Sequence, residues 1–237
     1  MEPQRALFAT IAFWDDPRAR GGPEQMACDE VLLETAKAPV LRVFRWDGAW
    51  VSAGYFANRA DAGRARAELP FCRRWTGGGL VLHDGDFTYS LVVPGGERLA
   101  TIKPSESYYV IHSTLARALR EYGVETSMSE EESRAGGECF AGAVQNDLVA
   151  GGAKIAGGAQ RRTRRGLLHQ GSVQCEPKLG REFGLTLART LAQSVGSWRP
   201  PAGFEGKVES LVRSKYATEE FLQGPRARKS FTEGAMS

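Results

Sequence analysis

Several features are scarce in this chain of 237 residues. No apolar run approaches the ~18 residues that a membrane-crossing helix needs, so no such span and no membrane partner are expected. Cysteine occurs four times, at Cys28, Cys72, Cys139 and Cys175. The four are widely separated, with no CxxC pair and no Cys/His ligand spacing. That leaves no disulfide framework and no metal site to read, and it fits a reduced, cytoplasmic protein. Cys28, Cys72 and Cys175 read as small buried hydrophobes. Charge of one sign is also lacking. Lys+Arg number 31 and Asp+Glu 28, a net charge of +3. Arginines fall in short clusters, so no nucleic-acid partner is implied. The N-terminal stretch has too short an apolar segment for a signal peptide and no small-residue cleavage pattern. Internal repeats and low-complexity tracts are missing.

What is present is ordinary for a soluble globular protein. Hydrophobic residues make up 42% of the chain and charged residues 25%, enough for one large core. The expectation is a single catalytic domain over 1–237, with a helical tail from 196.

Residues 71–90, FCRRWTGGGLVLHDGDFTYS, organise the rest. Arg73 and Arg74 are followed after two residues by Gly77, Gly78 and Gly79, then an apolar run, then His83 and Asp84. The reading is strand, glycine loop, short strand, turn, strand. Three glycines free the backbone for positive φ and close approach of a ligand. Their N–H groups beside two arginines suit a phosphate or carbonyl oxygen. A plain hairpin connection is the alternative for the glycines alone.

Around this stretch the periodicity predicts a helix over 23–37, started by Pro23, with acidic residues between its apolar ones. Strands are predicted at 40–46 and 51–56, paired through the turn at 47–49. Gly54 interrupts the second, as a bulge, a packing glycine or a close approach. A short helix is predicted over 59–68 and an amphipathic one over 104–122, closed by Gly123. His112 lies beside the apolar face of that helix and reads as structural. A strand at 124–128 precedes an acidic, glycine-containing surface loop at 129–138. Strands at 147–150, 154–162 and 166–174 follow, with RRTRR at 161–165 as a solvated hairpin tip. Helices are predicted over 180–196 and 206–223.

The central stretch resembles the lipoate–protein ligase and octanoyltransferase family, which includes the biotin ligases. The shared pattern is the Arg-Arg pair, the glycine run, the small apolar strand and His-Asp. A second shared element is Asn146-Asp147-Leu148, then Lys154-Ile155-Ala156-Gly157-Gly158-Ala159-Gln160, then His169-Gln170-Gly171-Ser172. The resemblance covers about 25–195. It implies an α+β fold, a mixed and largely antiparallel sheet flanked by helices, with an apolar acyl tunnel beside the glycine loop.

It also implies roles. Lys154 matches the lysine that the family uses throughout, and an ammonium there stabilises developing negative charge. One branch, the loop-cysteine octanoyltransferases, places a Cys-Phe pair 15 residues before that lysine. Cys139-Phe140 and Lys154 have that separation. A thiolate at Cys139, favoured by a nearby cation, takes the acyl chain as a thioester. That branch needs no cofactor. Its partners are an acyl carrier protein or lipoylated protein as donor and a lipoyl-domain protein as acceptor. The glycine run and Asn146-Asp147 look more like the ATP-dependent ligases, which use ATP and Mg²⁺ to make lipoyl-AMP. The expected substrate-binding set is Arg73, Arg74, Gly77, Gly78, Gly79, His83, Asp84, Gly157, Ala159 and His169. A non-catalytic lipoate-binding module is the third reading.

Overall fold

The computed structural model describes residues 6–57, 68–130 and 144–225. In chain order the elements are β1 (Phe8–Arg20), α1 (Gly22–Thr35), β2 (Val40–Trp46), β3 (Trp50–Ala53), β4 (Phe71–Arg73), β5 (Leu80–His83) and β6 (Phe87–Pro94). Next come α2 (Arg98–Thr101), α3 (Pro104–Glu121), β7 (Ser127–Met128), β8 (Leu148–Ala150), β9 (Ala153–Thr163), β10 (Gly166–Val173), α4 (Arg181–Leu191) and β11 (Ala192–Ser197). The last are α5 (Phe204–Leu211), a π-turn (Val212–Tyr216) and α6 (Glu219–Gln223).

Eight strands form one sheet in the order β11-β1-β2-β6-β10-β9-β8-β7. A small second sheet has the order β4-β3-β5. In the large sheet, β11/β1 and β1/β2 are parallel and every later pair is antiparallel. The mixed, largely antiparallel sheet flanked by helices is therefore found. Its centre is β10, whose eight residues are all buried between β6 and β9.

The pleat separates two faces. One carries Leu41, Val43, Tyr89, Leu91, Val93 and Leu167 against α3 and α4. Helix α3 buries Ile111, Leu115 and Leu119 at four-residue spacing, one stripe against the sheet. Pro104 opens it without losing a bond, and Gly123 closes it at φ +75°. The other face runs in rows across β2, β6 and β10. Val40–Val92–Leu168 is apolar; Arg42–Ser90–Gln170 and Phe44–Thr88–Ser172 are mostly polar. Over these rows lie α1 and the small sheet.

Helix α1 is buried nearly all round. Gln25, Asp29 and Glu30 are inside along with Met26, Val31 and Leu32. The acidic residues that lie between the apolar ones are matched: Asp29 by Arg42 at 2.7 Å, and Glu30 by Lys215 and Tyr216. Buried carboxylates survive only when paired in this way.

The structure corrects several elements. Strand β1 lies where no element is predicted, because the apolar run of Phe8, Ile11, Phe13 and Trp14 passes into charge, Asp16 and Arg20, that is itself buried. The strands at 40–46 and 51–56 are not a pair. Both sides of β2 are taken by β1 and β6, so β3 joins β4 and β5 instead. The helix at 180–196 stops at Leu191, and Ala192–Ser197 turns into an edge strand on β1. The helix at 206–223 is broken: Thr218 caps α6 by accepting from the Phe221 N–H. Cys28 and Cys72 are buried and their thiols are pushed up to about 12 by burial. Cys175 is only half-buried. The predicted helix at 59–68 and most of the loop at 129–138 lie outside the described residues.

Candidate active site

Between β4 and β5 the chain makes the triglycine loop, and its close packing explains Gly54. A Cβ there would lie 1.9 Å from Gly78 O and 2.5 Å from Gly77 O. The Gly54 N–H donates to Gly79 O at 3.1 Å and the Tyr55 N–H to Thr76 O at 2.8 Å. Gly78 takes φ +87°, which only glycine adopts freely. Arg74, buried behind the loop, donates from Nη2 to Gly77 O at 3.1 Å and to Gly79 O at 2.9 Å. The carbonyls are thus held from behind. Among the described residues, no hydrogen bond takes the N–H groups of Gly77, Gly78 or Gly79. A run of unpaired N–H groups is a nest for an oxyanion.

Arg73 is placed differently. It is fully buried and donates to the carbonyls of Gly54, Tyr55, Ala57 and Leu222 at 2.8–3.1 Å. It ties α6 to the segment beside the loop and does not reach the cavity.

That cavity, about 40 Å³, lies between the loop and the β9–β10 pair. Arg74, Gly78, Val81, Gly157, Ala159 and Ser172 are among the residues lining it. A larger groove of about 900 Å³ lies at the other edge of the sheet, by Trp14, Trp198 and Phe204. None of the candidate residues lines it, so the small cavity is the chemically relevant one.

Lys154 packs against Gly157, one of the residues lining this cavity. A Cβ at Gly157 would sit 2.7 Å from Lys154 Cε and 2.9 Å from Nζ. The missing side chain at 157 is the space the lysine uses. A register shift between β8 and β9 lies beside it, and such bulges re-aim side chains. Lys154 Nζ is 2.7 Å from Asp147 Oδ2, with both side chains buried. Asp147 is held in turn: the Tyr108 hydroxyl donates to Oδ1 at 2.6 Å and the Val144 N–H to Oδ2 at 2.9 Å. Tyr108 also accepts from the Gly158 N–H at 2.8 Å.

His83 does not pair with Asp84. Asp84 is exposed, whereas His83 is buried with its Nδ1 2.9 Å from Asp86 Oδ2. The two-residue offset follows from the turn: Asp86 faces inward to meet Ser172 and Thr88 of the large sheet. His169 lies on the opposite face of the sheet from the cavity. It contacts Tyr89 OH at 3.2 Å and stacks edgewise on His112 and Tyr108. A Cβ at Gly158 would strike its ring at 2.6 Å, so His169 backs the strand that carries Gly157. Burial lowers His112 to about 4 and His169 well below its ordinary value. His112 Nδ1 donates to Asn146 O at 2.7 Å, and its buried Nε2 has no partner. Cys139 lies outside the described residues. Val144, five residues on, is bound to the carboxylate that pairs with Lys154.

Sequence reasoning missed the partners: Tyr108, Asp147 and Gln170 as members of the site, and Ser52 and Asp86. Asp147 and Gln170 sit inside the quoted motifs; Ser52 carries no signal in the sequence. Among the described residues, no group of three His, Cys, Asp or Glu side chains could hold a metal ion, and no helix is long and apolar enough to cross a membrane.

Residues 22–221 match the family model of the lipoyl protein ligase A/B catalytic domain. The chain belongs to this family. It is 35% identical to the octanoyltransferase LipM of Oceanobacillus iheyensis over 62% of this chain and 58% of that enzyme. It is 31% identical to the octanoyltransferase LipM of Bacillus subtilis over 88% of this chain and 79% of that enzyme. Among solved structures, a putative lipoate protein ligase from T. acidophilum superposes with a TM-score of 0.73, over 92% of this chain and 100% of that one, at 20% identity. At that identity the likeness shows the fold of the lipoyl ligase family, and the reaction rests on the site and on the LipM relatives.

Proposed function

We propose that this protein is an octanoyltransferase of protein lipoylation, working through a thioester on Cys139. The observation that carries the reading is the placement of Lys154. Its side chain packs on Gly157, which lines a small apolar cavity together with Gly78 of the triglycine loop, and among the described residues no hydrogen bond takes the N–H groups of that loop. That arrangement favours negative charge on an acyl carbonyl oxygen, as catalysis of acyl transfer requires.

The Cys139 thiolate attacks the carbonyl of an octanoyl thioester on the donor. The carbonyl electrons pass to the oxygen, which the loop N–H groups receive, and collapse expels the donor thiolate. The neutral amine of the acceptor lysine then attacks the enzyme thioester, its proton passes to solvent, and the Cys139 thiolate is expelled as the amide forms. Asp147, fixed by Tyr108, keeps the Lys154 ammonium in place through both steps. Arg74 and Arg73 act behind the loop, one on its carbonyls and one on the segment beside it. The donor is an acyl carrier protein or a lipoylated protein, and the acceptor is a lipoyl-domain protein; neither transfer step calls for a metal or nucleotide.

Incubation with octanoyl carrier protein should give a covalent adduct of one octanoyl group on Cys139, seen by intact-protein mass spectrometry and absent from Cys139→Ala. Full transfer by Cys139→Ala would sink the thioester. A second reading, the ATP-dependent ligase, draws on the same unpaired N–H groups, which suit a phosphate equally well. It requires release of pyrophosphate on addition of ATP, Mg²⁺ and lipoate. Adduct formation without nucleotide separates the two.

A further inference from the structure

Behind Arg74 runs a chain of hydrogen bonds that no residue of the proposed transfer reaction requires directly. Arg74 Nη1 donates to Ser52 Oγ at 2.6 Å and to Ser52 O at 3.0 Å. Ser52 Oγ lies 2.7 Å from His83 Nε2. His83 Nδ1 lies 2.9 Å from Asp86 Oδ2. The same oxygen accepts from Thr88 Oγ1 at 2.9 Å and from Ser172 Oγ at 2.5 Å. Trp46 stacks on the His83 ring at 4.0 Å and donates to Thr88 at 3.0 Å. Ser52, Arg74, His83 and Ser172 are all buried.

The ends of this chain dictate its direction. A guanidinium only donates, and an ionised carboxylate only accepts. Arg74 therefore fills one lone pair of Ser52. The hydroxyl proton goes to His83 Nε2, and the ring proton on Nδ1 goes to Asp86. Of the two neutral tautomers only Nδ1–H fits, because Nε2–H would leave a bare Nδ1 facing the Asp86 carboxylate. A protonated ring would aim a second donor at Ser52 and place like charge near Arg74. The charged groups facing the ring are Asp86 and Arg74. Burial lowers the histidine's affinity for a proton, which keeps it in the fitting form.

Both ends return to the cavity, since Arg74 and Ser172 line it. The chain also joins the small sheet, which carries Ser52 and His83, to β6 and β10 of the large one. We propose that Ser52, His83 and Asp86 are positioning residues that lock Arg74 onto the carbonyls of Gly77 and Gly79 and so keep the loop N–H groups facing the acyl carbonyl. The proposal rests on the transferase reading, because the loop is preorganised for an oxyanion of that reaction. An interaction that matters mainly in the transition state shows in kcat more than in KM.

Two measurements test it. In the first, ¹⁵N chemical shifts of the histidine ring are followed with pH. Wild-type His83 should be the neutral Nδ1–H tautomer, and Asp86→Asn should shift it toward Nε2–H. This reading needs no substrate, so it stands or falls apart from the reaction. In the second, octanoyl transfer is timed. Ser52→Ala should lower kcat about tenfold with KM within twofold. His83→Gln, which keeps an acceptor near the ε position, should retain more activity than His83→Leu. A wild-type Nε2–H tautomer, or an unchanged kcat in Ser52→Ala, would overturn the proposal. Inactivity of the wild type with normal ¹⁵N behaviour would count against the transferase reading and leave the geometry of the chain intact.

Discussion

The two faces of the eight-stranded sheet are built by different means. Toward α3 and α4 the side chains are mostly hydrocarbon apart from the His112–His169 pair, with Leu41, Leu91, Leu115, Leu167 and Phe183 almost inaccessible. Toward α1 and the small sheet, the equally inaccessible positions are Arg42, Asp29, Ser90 and Asp16. Arg42 donates to Asp16 at 2.8 Å and to Asp29 at 2.7 Å. Asp29 also accepts from Ser90 and from Gln170 at 2.7 Å each, and Gln170 accepts from Thr76 at the foot of the triglycine loop. The first face is held by volume, which tolerates rearrangement. The second is held by directed bonds, which allow one arrangement. The loop and cavity lie on the second face, where position is specified most narrowly.

The largest expected effect comes from breaking the polar face. Arg42→Met leaves Asp29 buried without its cation and Asp16 with only Arg20. Removing one partner of a buried ion pair costs about 3–5 kcal/mol, so urea denaturation should show a loss of that size. Transfer activity should fall with it, because Asp29 orients Gln170 and Gln170 holds Thr76. On the apolar face, Leu115→Ala should cost about 2–5 kcal/mol, set by the cavity left behind. Its kcat should stay near the wild-type value wherever the protein remains folded. If the two variants lower kcat alike, the division of labour between the faces is wrong.

This contrast also explains what could be read in advance. The apolar face obeys simple periods, so α3 and the strands β6, β9 and β10 were legible to within a few residues. The motif residues Gly77–Gly79 and Lys154 were legible too, since their pattern marks a loop and a strand. The polar face hides its logic. Asp29 and Glu30 look like solvent residues until Arg42 and Lys215, distant in sequence, are seen beside them. Strand β1 escaped for the same reason, since Asp16 and Arg20 interrupt its apolar pattern. Asp86 rather than Asp84 meets His83 because the turn, not the order of residues, sets which carboxylate points inward. Pairings such as Arg42 with Asp29 and Lys215 with Glu30 depend on tertiary contact, and no short window of sequence contains both partners.

Acid should expose a vulnerability shared by both faces. All three histidines of the chain, His83, His112 and His169, are buried and held neutral. The unfolded chain binds their protons near pH 6.5, while each folded-state value is lowered, to about 4 for His112. With more protons bound in the unfolded state, stability falls as pH drops below 6.5. Each histidine contributes at most about 1.4 kcal/mol per pH unit in that window. Thermal denaturation between pH 7 and 4.5 should show the slope. His112→Phe should reduce it by one histidine's share, and an unchanged slope would mean that His112 is already protonated in the folded protein.

The smallest effect is expected where the polar face meets solvent. Glu205 on α5 accepts from Arg20 Nη1 and Nη2 at 2.8 Å each, and from Arg18 at 2.9 Å. Arg20 is buried, but the Glu205 side chain is 37% exposed. The hydrogen bond from Arg20 holds its carboxyl below the ordinary value, so its contribution is present above that value and fades as pH falls through the lowered one. Water already screens much of this pair, and exposed ion pairs are worth about 0–1 kcal/mol. Glu205→Gln keeps an acceptor for Arg20 and removes the charge. It should therefore cost less than about 1 kcal/mol at low salt, and less still at 1 M salt, where screening acts within ~3 Å. A loss as large as that of Arg42→Met would show that Arg20 depends on Glu205 rather than on Asp16, and the polar network would then extend to the surface instead of ending beneath it.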